Sequence, residues 1–172
     1  GLIIDVRDNG GGFTCDHLLT VLTQPMHAYT VGRNGATGYP QDRHVYASWN
    51  KPIVVICNQN SFSNAEIFSH AIKTIDRGKL VGTPTAGGVI STGSATILEL
   101  GRMRLPGRGW FLPHNGEDME LYGAVPHFIV DVRPGDLSSG KDPQLDKAIE
   151  VLKKEVKERS LKLAPPIYRS NR

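Results

Sequence analysis

Five consecutive apolar residues, Ile53 to Cys57, follow Pro52 and stop at Asn58-Gln59-Asn60, and no other stretch of this 172-residue chain restricts its fold as much. A strand shows alternate side chains to its two faces, so an unbroken apolar run must be covered on both, as in a parallel sheet flanked by helices. Behind it, Ile67, Phe68, Ala71, Ile72 and Ile75 recur at helical spacing after a Ser/Asn cluster that can cap a first turn. Lys79 to Gly82 then reads as a further strand. The segment is a β-α-β unit, for which parallel strands and a right-handed crossover are expected. The predicted class is α/β, with a mixed, mostly parallel sheet flanked by helices.

Leu2 to Val6 reads as a second buried strand, emptying through Arg7-Asp8-Asn9 into Gly10-Gly11-Gly12. Asp16 to Leu22 suits a short helix, and Gln24 to Trp49 reads as strand and loop. Thr92 to Leu100, Arg102 to Leu105, Gly109 to Leu112 and Phe128 to Val132 suggest more strands, some antiparallel. Asp142 to Leu161 is the clearest helix: Leu145, Ala148, Ile149, Leu152 and Val156 form one apolar stripe, and Asp142-Pro143 opens it. Leu163 to Arg172, with Pro165-Pro166, reads as an extended tail. Residue 1 enters a strand directly, so the chain is expected to be part of a larger protein.

The net charge of +3 belongs to the end of the chain. From Lys141 onward nine Lys or Arg face five Asp or Glu, leaving eleven basic and twelve acidic residues before it. Without a basic stripe on the body, nucleic acid is not an expected partner. No stretch approaches the roughly 18 apolar residues of a membrane span. Cys15 and Cys57 form neither a disulfide framework nor a metal-ligand spacing, and no HExxH is present, so neither metal nor cofactor is expected.

Ser61-Phe62-Ser63-Asn64-Ala65-Glu66 lies between a buried strand and a helix start. A serine there is either an N-cap or a nucleophile beside amides that stabilise an oxyanion. Position alone leaves both open. The glycines at Gly10 to Gly12 and Gly87-Gly88 likewise read as tight turns or as ligand loops at the carboxyl ends of neighbouring strands. A nucleophilic serine needs a base, and the chain offers His17, His27, His44, His70, His114 and His127. His70, seven residues along the same helix, lies roughly 10 Å from Ser63 on helical rise and does not reach it.

The segments GLIIDVRDNGGG, PIVVICNQNSFSNAEIFSHA and KLVGTPTAGGV, followed by ELYGAVP and GKDPQLDKAIEVL, together resemble the catalytic domain shared by C-terminal processing peptidases and tricorn-type serine peptidases. The resemblance implies a crotonase-like (ClpP-like) α/β core with ββα units. Residues 1–162 would form the C-terminal part of that domain. It implies Ser63 as nucleophile and an oxyanion hole made by the backbone N–H of Asn64 and of Gly10 or Gly11. The lysine of the processing peptidases would align with Gly88, so the resemblance leans to the tricorn branch, whose glutamate falls on Glu120 and orients a histidine. That histidine is expected upstream of Gly1, and Asn64 stands where tricorn itself has an acidic residue. The implied activity is hydrolysis of peptides or unfolded polypeptides through an acyl-enzyme, with a homo-oligomer as an expected partner state. A non-catalytic ligand- or peptide-binding domain on the same fold is the alternative.

Overall fold

The computed structural model describes residues 1–35, 37–38, 47–162 and 167–168, so the tail predicted from Leu163 lies almost wholly outside the described residues. The elements run β1 (Leu2–Asp5), α1 (Cys15–Leu22), β2 (Thr30–Val31), β3 (Thr37–Gly38), β4 (Ile53–Cys57), α2 (Asn64–Thr74), β5 (Lys79–Gly82), β6 (Ser91–Ile97), β7 (Gly101–Arg108), β8 (Phe128–Ile129), a 3-10 turn at Leu137–Ser139 and α3 (Pro143–Leu161). One sheet has the order β1-β4-β5-β8, and every neighbouring pair in it is parallel. The antiparallel strands stand apart from it, as the ribbons β2-β3 and β6-β7.

The apolar run is the central strand β4, and all five of its residues are buried. Its side chains divide by parity, as the pleat requires. Ile53, Val55 and Cys57, with Leu80 of β5, pack against Leu22 of α1 and Ala65, Phe68 and Ile72 of α2. Val54 and Ile56, with Val81, meet Ala148 and Val151 of α3. Each fully buried aliphatic side chain contributes about 1.5–3 kcal/mol, so the sheet is stabilised from both faces.

Three expectations need correction. The seam of α3 that faces the sheet is Gln144, Ala148 and Val151, while Leu145, Ile149 and Val156 lie toward solvent. The stripe read from the sequence is rotated because Gln144 is drawn inward, donating Nε2–H to the Val130 carbonyl at 2.8 Å. Gly109 to Leu112 forms no strand: Leu112 N–H bonds the Glu117 carbonyl across a tight turn, leaving one bridge between Phe111 and Asp118. The strand expected over Phe128 to Val132 shortens to Phe128–Ile129. Among the described residues no helix is long and apolar enough to cross a membrane.

Arg7 joins the end of β1 to the start of α3. Its guanidinium makes a fork with Asp142 at 2.8 and 2.9 Å and also bonds Asp5 at 2.7 Å. Asp142 in turn caps α3, accepting the Leu145 N–H at 3.0 Å ahead of Pro143. The hydrogen bonds from Arg7 hold the Asp142 carboxyl below its ordinary value. A depressed carboxyl contributes stability above its unfolded pKa and loses it as pH falls through the folded one. The stability gap between wild type and Asp142→Asn, read from urea midpoints, is therefore expected to be full above about pH 4 and to shrink as pH falls below it. A gap constant down to about pH 2 would exclude the ion pair as its source.

Candidate active site

The loop from β4 to α2 is stitched to the end of β1. The fully buried Ser61 donates its hydroxyl to the Val6 carbonyl at 2.7 Å and accepts the Asn58 N–H at 3.0 Å. Phe62 N–H bonds the Asn9 carbonyl at 2.9 Å. With Ser61 consumed in holding the loop, Ser63 is left half-buried at the N-cap of α2. Its backbone is φ 56° and ψ −118°. An ordinary N-cap is extended, and this geometry, that of the first central residue of a II′ turn, costs a non-glycine residue about 1–3 kcal/mol. Backbone strain thus sets Ser63 apart from a simple cap.

Gly11 lies against this turn with φ +100°, and a Cβ built on it would come within 2.7 Å of Ser63 Cβ and 3.0 Å of the Asn64 nitrogen. The two amides proposed by sequence at the glycine loop differ in availability. Gly11 donates its N–H to Asn9 Oδ1 at 2.8 Å. Among the described residues the N–H groups of Gly10 and Asn64 have no protein acceptor. The Asn64 side chain accepts the Cys15 N–H at 2.9 Å, which anchors α1 and the glycine loop beside Ser63. The open Asn64 amide stands at the N-terminus of α2, the positive end of its dipole, and the open Gly10 amide adjoins Gly11, which packs on the Ser63 turn.

Glu66, fully buried on the first turn of α2, is the group that sequence reasoning missed. Its Oε1 accepts the N–H of Ser63 and of Gly88, each at 2.9 Å. Its Oε2 accepts the Thr85 hydroxyl at 2.8 Å and the Gly87 N–H. The signal was legible as Ser63-x-x-Glu66, the spacing of a capping box.

The loop gripped by Glu66 also binds Glu120 through its next two residues. Glu120 Oε2 accepts the N–H groups of Val89 and Ile90 at 2.7 and 2.9 Å. Its own N–H bonds Asp118 Oδ1 at 2.9 Å, and the next residue, Leu121, returns its N–H to the Gly87 carbonyl at 2.9 Å. Glu120 is partly exposed. Ser63, through Glu66, and Glu120 are thus both tied to one short segment, Gly87 to Ile90. At Gly88 a Cβ would fall 2.2 Å from the Phe62 ring, so any side chain there must push that ring aside.

Among the described residues no histidine bonds Ser63, Glu66 or Glu120. His17, on α1, and His27 and His114 are exposed, and His44 lies outside the described residues. His70 is buried on α2, burial lowers its pKa, and its Nε2 lacks a partner among the described residues. His127 Nδ1 accepts the Leu80 N–H at 3.0 Å, and burial again lowers its pKa. Both favour the neutral ring. Burial pushes the thiols of Cys15 and Cys57 up to about 11 and about 12, far from the thiolate a nucleophile needs. Among the described residues no three His, Cys, Asp or Glu side chains gather as a metal site.

The profile of "Peptidase family S41" matches residues 1–130. The chain is 37% identical over 161 residues to the "Putative Tricorn-like protease C-terminal subunit" of Sulfurisphaera tokodaii, covering 93% of this chain and 18% of that protein. It is 35% identical over 159 residues to the "Tricorn protease" of Thermoplasma acidophilum, covering 91% and 14%. A crystal structure of the tricorn protease superposes with a TM-score of 0.75 at 35% identity, over 91% of this chain and 15% of that one. The chain therefore spans less than a fifth of the length of each of these relatives.

The glycine loop supplies a direct test of the packing at the serine. Gly11→Ala is expected to destabilise by on the order of 1–3 kcal/mol, through strain at positive φ and collision with the Ser63 turn. Gly10→Ala meets nothing within 4 Å, and its cost is expected to stay under about 1 kcal/mol. Denaturant midpoints of the two variants measure the contrast, and equal costs would contradict the close approach of Gly11.

Proposed function

The chain belongs to peptidase family S41, and from that premise we propose that it carries the nucleophile, the oxyanion cradle and the orienting acid of a serine peptidase site. The substrates are peptides or unfolded polypeptides. The observation that carries this reading is the strained Ser63 turn next to the two open amides of Asn64 and Gly10.

In this mechanism Ser63 Oγ attacks the scissile carbonyl carbon while a histidine outside these 172 residues takes its proton. The carbonyl oxygen, now negative, lies between the Asn64 and Gly10 amides, whose orientation is set before the reaction begins. Losing one such donor typically costs about 10²–10³ in rate. The imidazolium returns the proton to the leaving amine, and water then hydrolyses the acyl-enzyme by the same steps in reverse. Glu120 keeps its Oε2 on the Val89 and Ile90 amides, and its other oxygen is the acceptor that orients the imidazole and stabilises its charged form. The Gly88 position supplies no lysine, so a Ser/Lys dyad is not part of the reading. Assembly into homo-oligomers belongs to the same proposal.

Fluorophosphonate treatment of the full-length parent is expected to label Ser63, and Ser63→Ala to abolish both label and peptide turnover. Glu120→Gln should lower kcat by about 10²–10⁴-fold. The isolated 172-residue chain, without the histidine, is expected to turn over peptides at least about 10³-fold more slowly than the parent. A parent that binds peptides while Ser63 stays unlabelled would instead identify a non-catalytic binding domain.

A further inference from the structure

We propose that Glu66 is the positioning residue of this site: one buried carboxylate sets both the backbone of the nucleophile turn and the loop whose amides bind Glu120. The inference rests on the peptidase reading above and goes beyond it by assigning a role to a residue outside the nucleophile, acid and oxyanion set.

Glu66 is 0% exposed, and among the described residues no cation forms an ion pair with it. A carboxylate so enclosed persists only when its acceptor sites are filled. Four donors fill them, and they come from two places. Ser63 N–H belongs to the strained turn, while Gly87 N–H, Gly88 N–H and the Thr85 hydroxyl belong to the facing loop. Oε1 is shared by one donor from each place, so the serine amide and the Gly88 amide are registered against a single atom. Thr85 extends the frame, since its hydroxyl oxygen also accepts the Ala124 N–H at 2.7 Å. One and two residues past Gly88, the amides of Val89 and Ile90 hold Glu120. Moving Glu66 therefore moves Ser63 and Glu120 relative to each other.

A carboxamide does not replace this. In the Glu66→Gln variant, with the amide oxygen toward Ser63 and Gly88, the new NH₂ faces the Gly87 N–H, two donors in opposition; the flipped amide faces Ser63 and Gly88 with the same conflict. Glu66→Asp keeps the charge but is one methylene too short to reach both segments. The expected defect lies in alignment, and misplacement of about 1 Å costs about 10²-fold in rate.

The test uses the full-length parent, comparing Glu66→Gln and Glu66→Asp with Ile72→Val, which loosens the packing of the same helix without touching the frame. Measured are the rate of Ser63 labelling by a fluorophosphonate, kcat and KM on an unfolded polypeptide, and the thermal midpoint. Both Glu66 variants are expected to lose about 10–10²-fold in labelling rate and kcat with KM nearly unchanged. Ile72→Val is expected to keep its labelling rate. Glu66→Asp tests the idea where Glu66→Gln does not fold. A folded Glu66 variant that labels at the wild-type rate, or an Ile72→Val that loses as much as either, overturns the proposal alone. A wild-type parent that is not labelled overturns the peptidase reading and this proposal with it.

Discussion

The carboxylate of Glu66 is fully buried with no cation paired with it among the described residues, so its stability comes from four hydrogen-bond donors held around it. Charge-assisted bonds of this kind are about twice as strong as neutral ones, and leaving one unmade in a buried place is correspondingly costly. The constraint works in both directions. Because the donors belong to the turn at Ser63 and to the loop Thr85 to Gly88, neither segment can shift without exposing the charge. The strained backbone of Ser63 is tolerated because its N–H is one of those donors.

The sheet provides the platform on which this frame is built. β4 is covered on both faces, by α1 and α2 on one and α3 on the other, which fixes where its carboxyl end points. The turns that follow β1, β4 and β5 then converge: Asn9 holds Phe62, Ser61 holds Val6, and Glu66 holds Gly87 and Gly88. Arg7 closes the same end of the sheet against α3 through Asp142. The candidate site therefore lies at the carboxyl ends of parallel strands, where ligands gather in open α/β sheets.

Much of the architecture was legible because burial leaves a periodic mark. The unbroken run Ile53 to Cys57 implied cover on two faces, and the spacing of Ile67, Phe68, Ala71 and Ile72 implied the helix behind it. The same logic misplaced the seam of α3, since a glutamine drawn inward by a main-chain acceptor does not register as apolar. It also counted Gly109 to Leu112 as a strand, although a tight turn left it a single bridge. The serine turn was half legible: SFSNAE read as cap or nucleophile, the resemblance pointed to Ser63, and packing adds that Ser61 is engaged with Val6 and Asn58.

The α/β class, the parallel core strands, the helix after the SFSNAE turn and, through resemblance, the short set of residues from which a site would be drawn are all written in the chain itself. They depend on local periodicity and on order along the sequence. Packing alone reveals that Ser63 is strained, that the Gly11 amide is engaged while that of Gly10 is open, and that Glu66 ties the serine turn to the loop whose amides bind Glu120. These are relations between residues that can lie more than fifty positions apart, as Ser61 and Val6 do. The bonds of Ser61 to Val6 and of Glu66 to Gly87 and Gly88 cross packed segments, and no short window of sequence contains both partners.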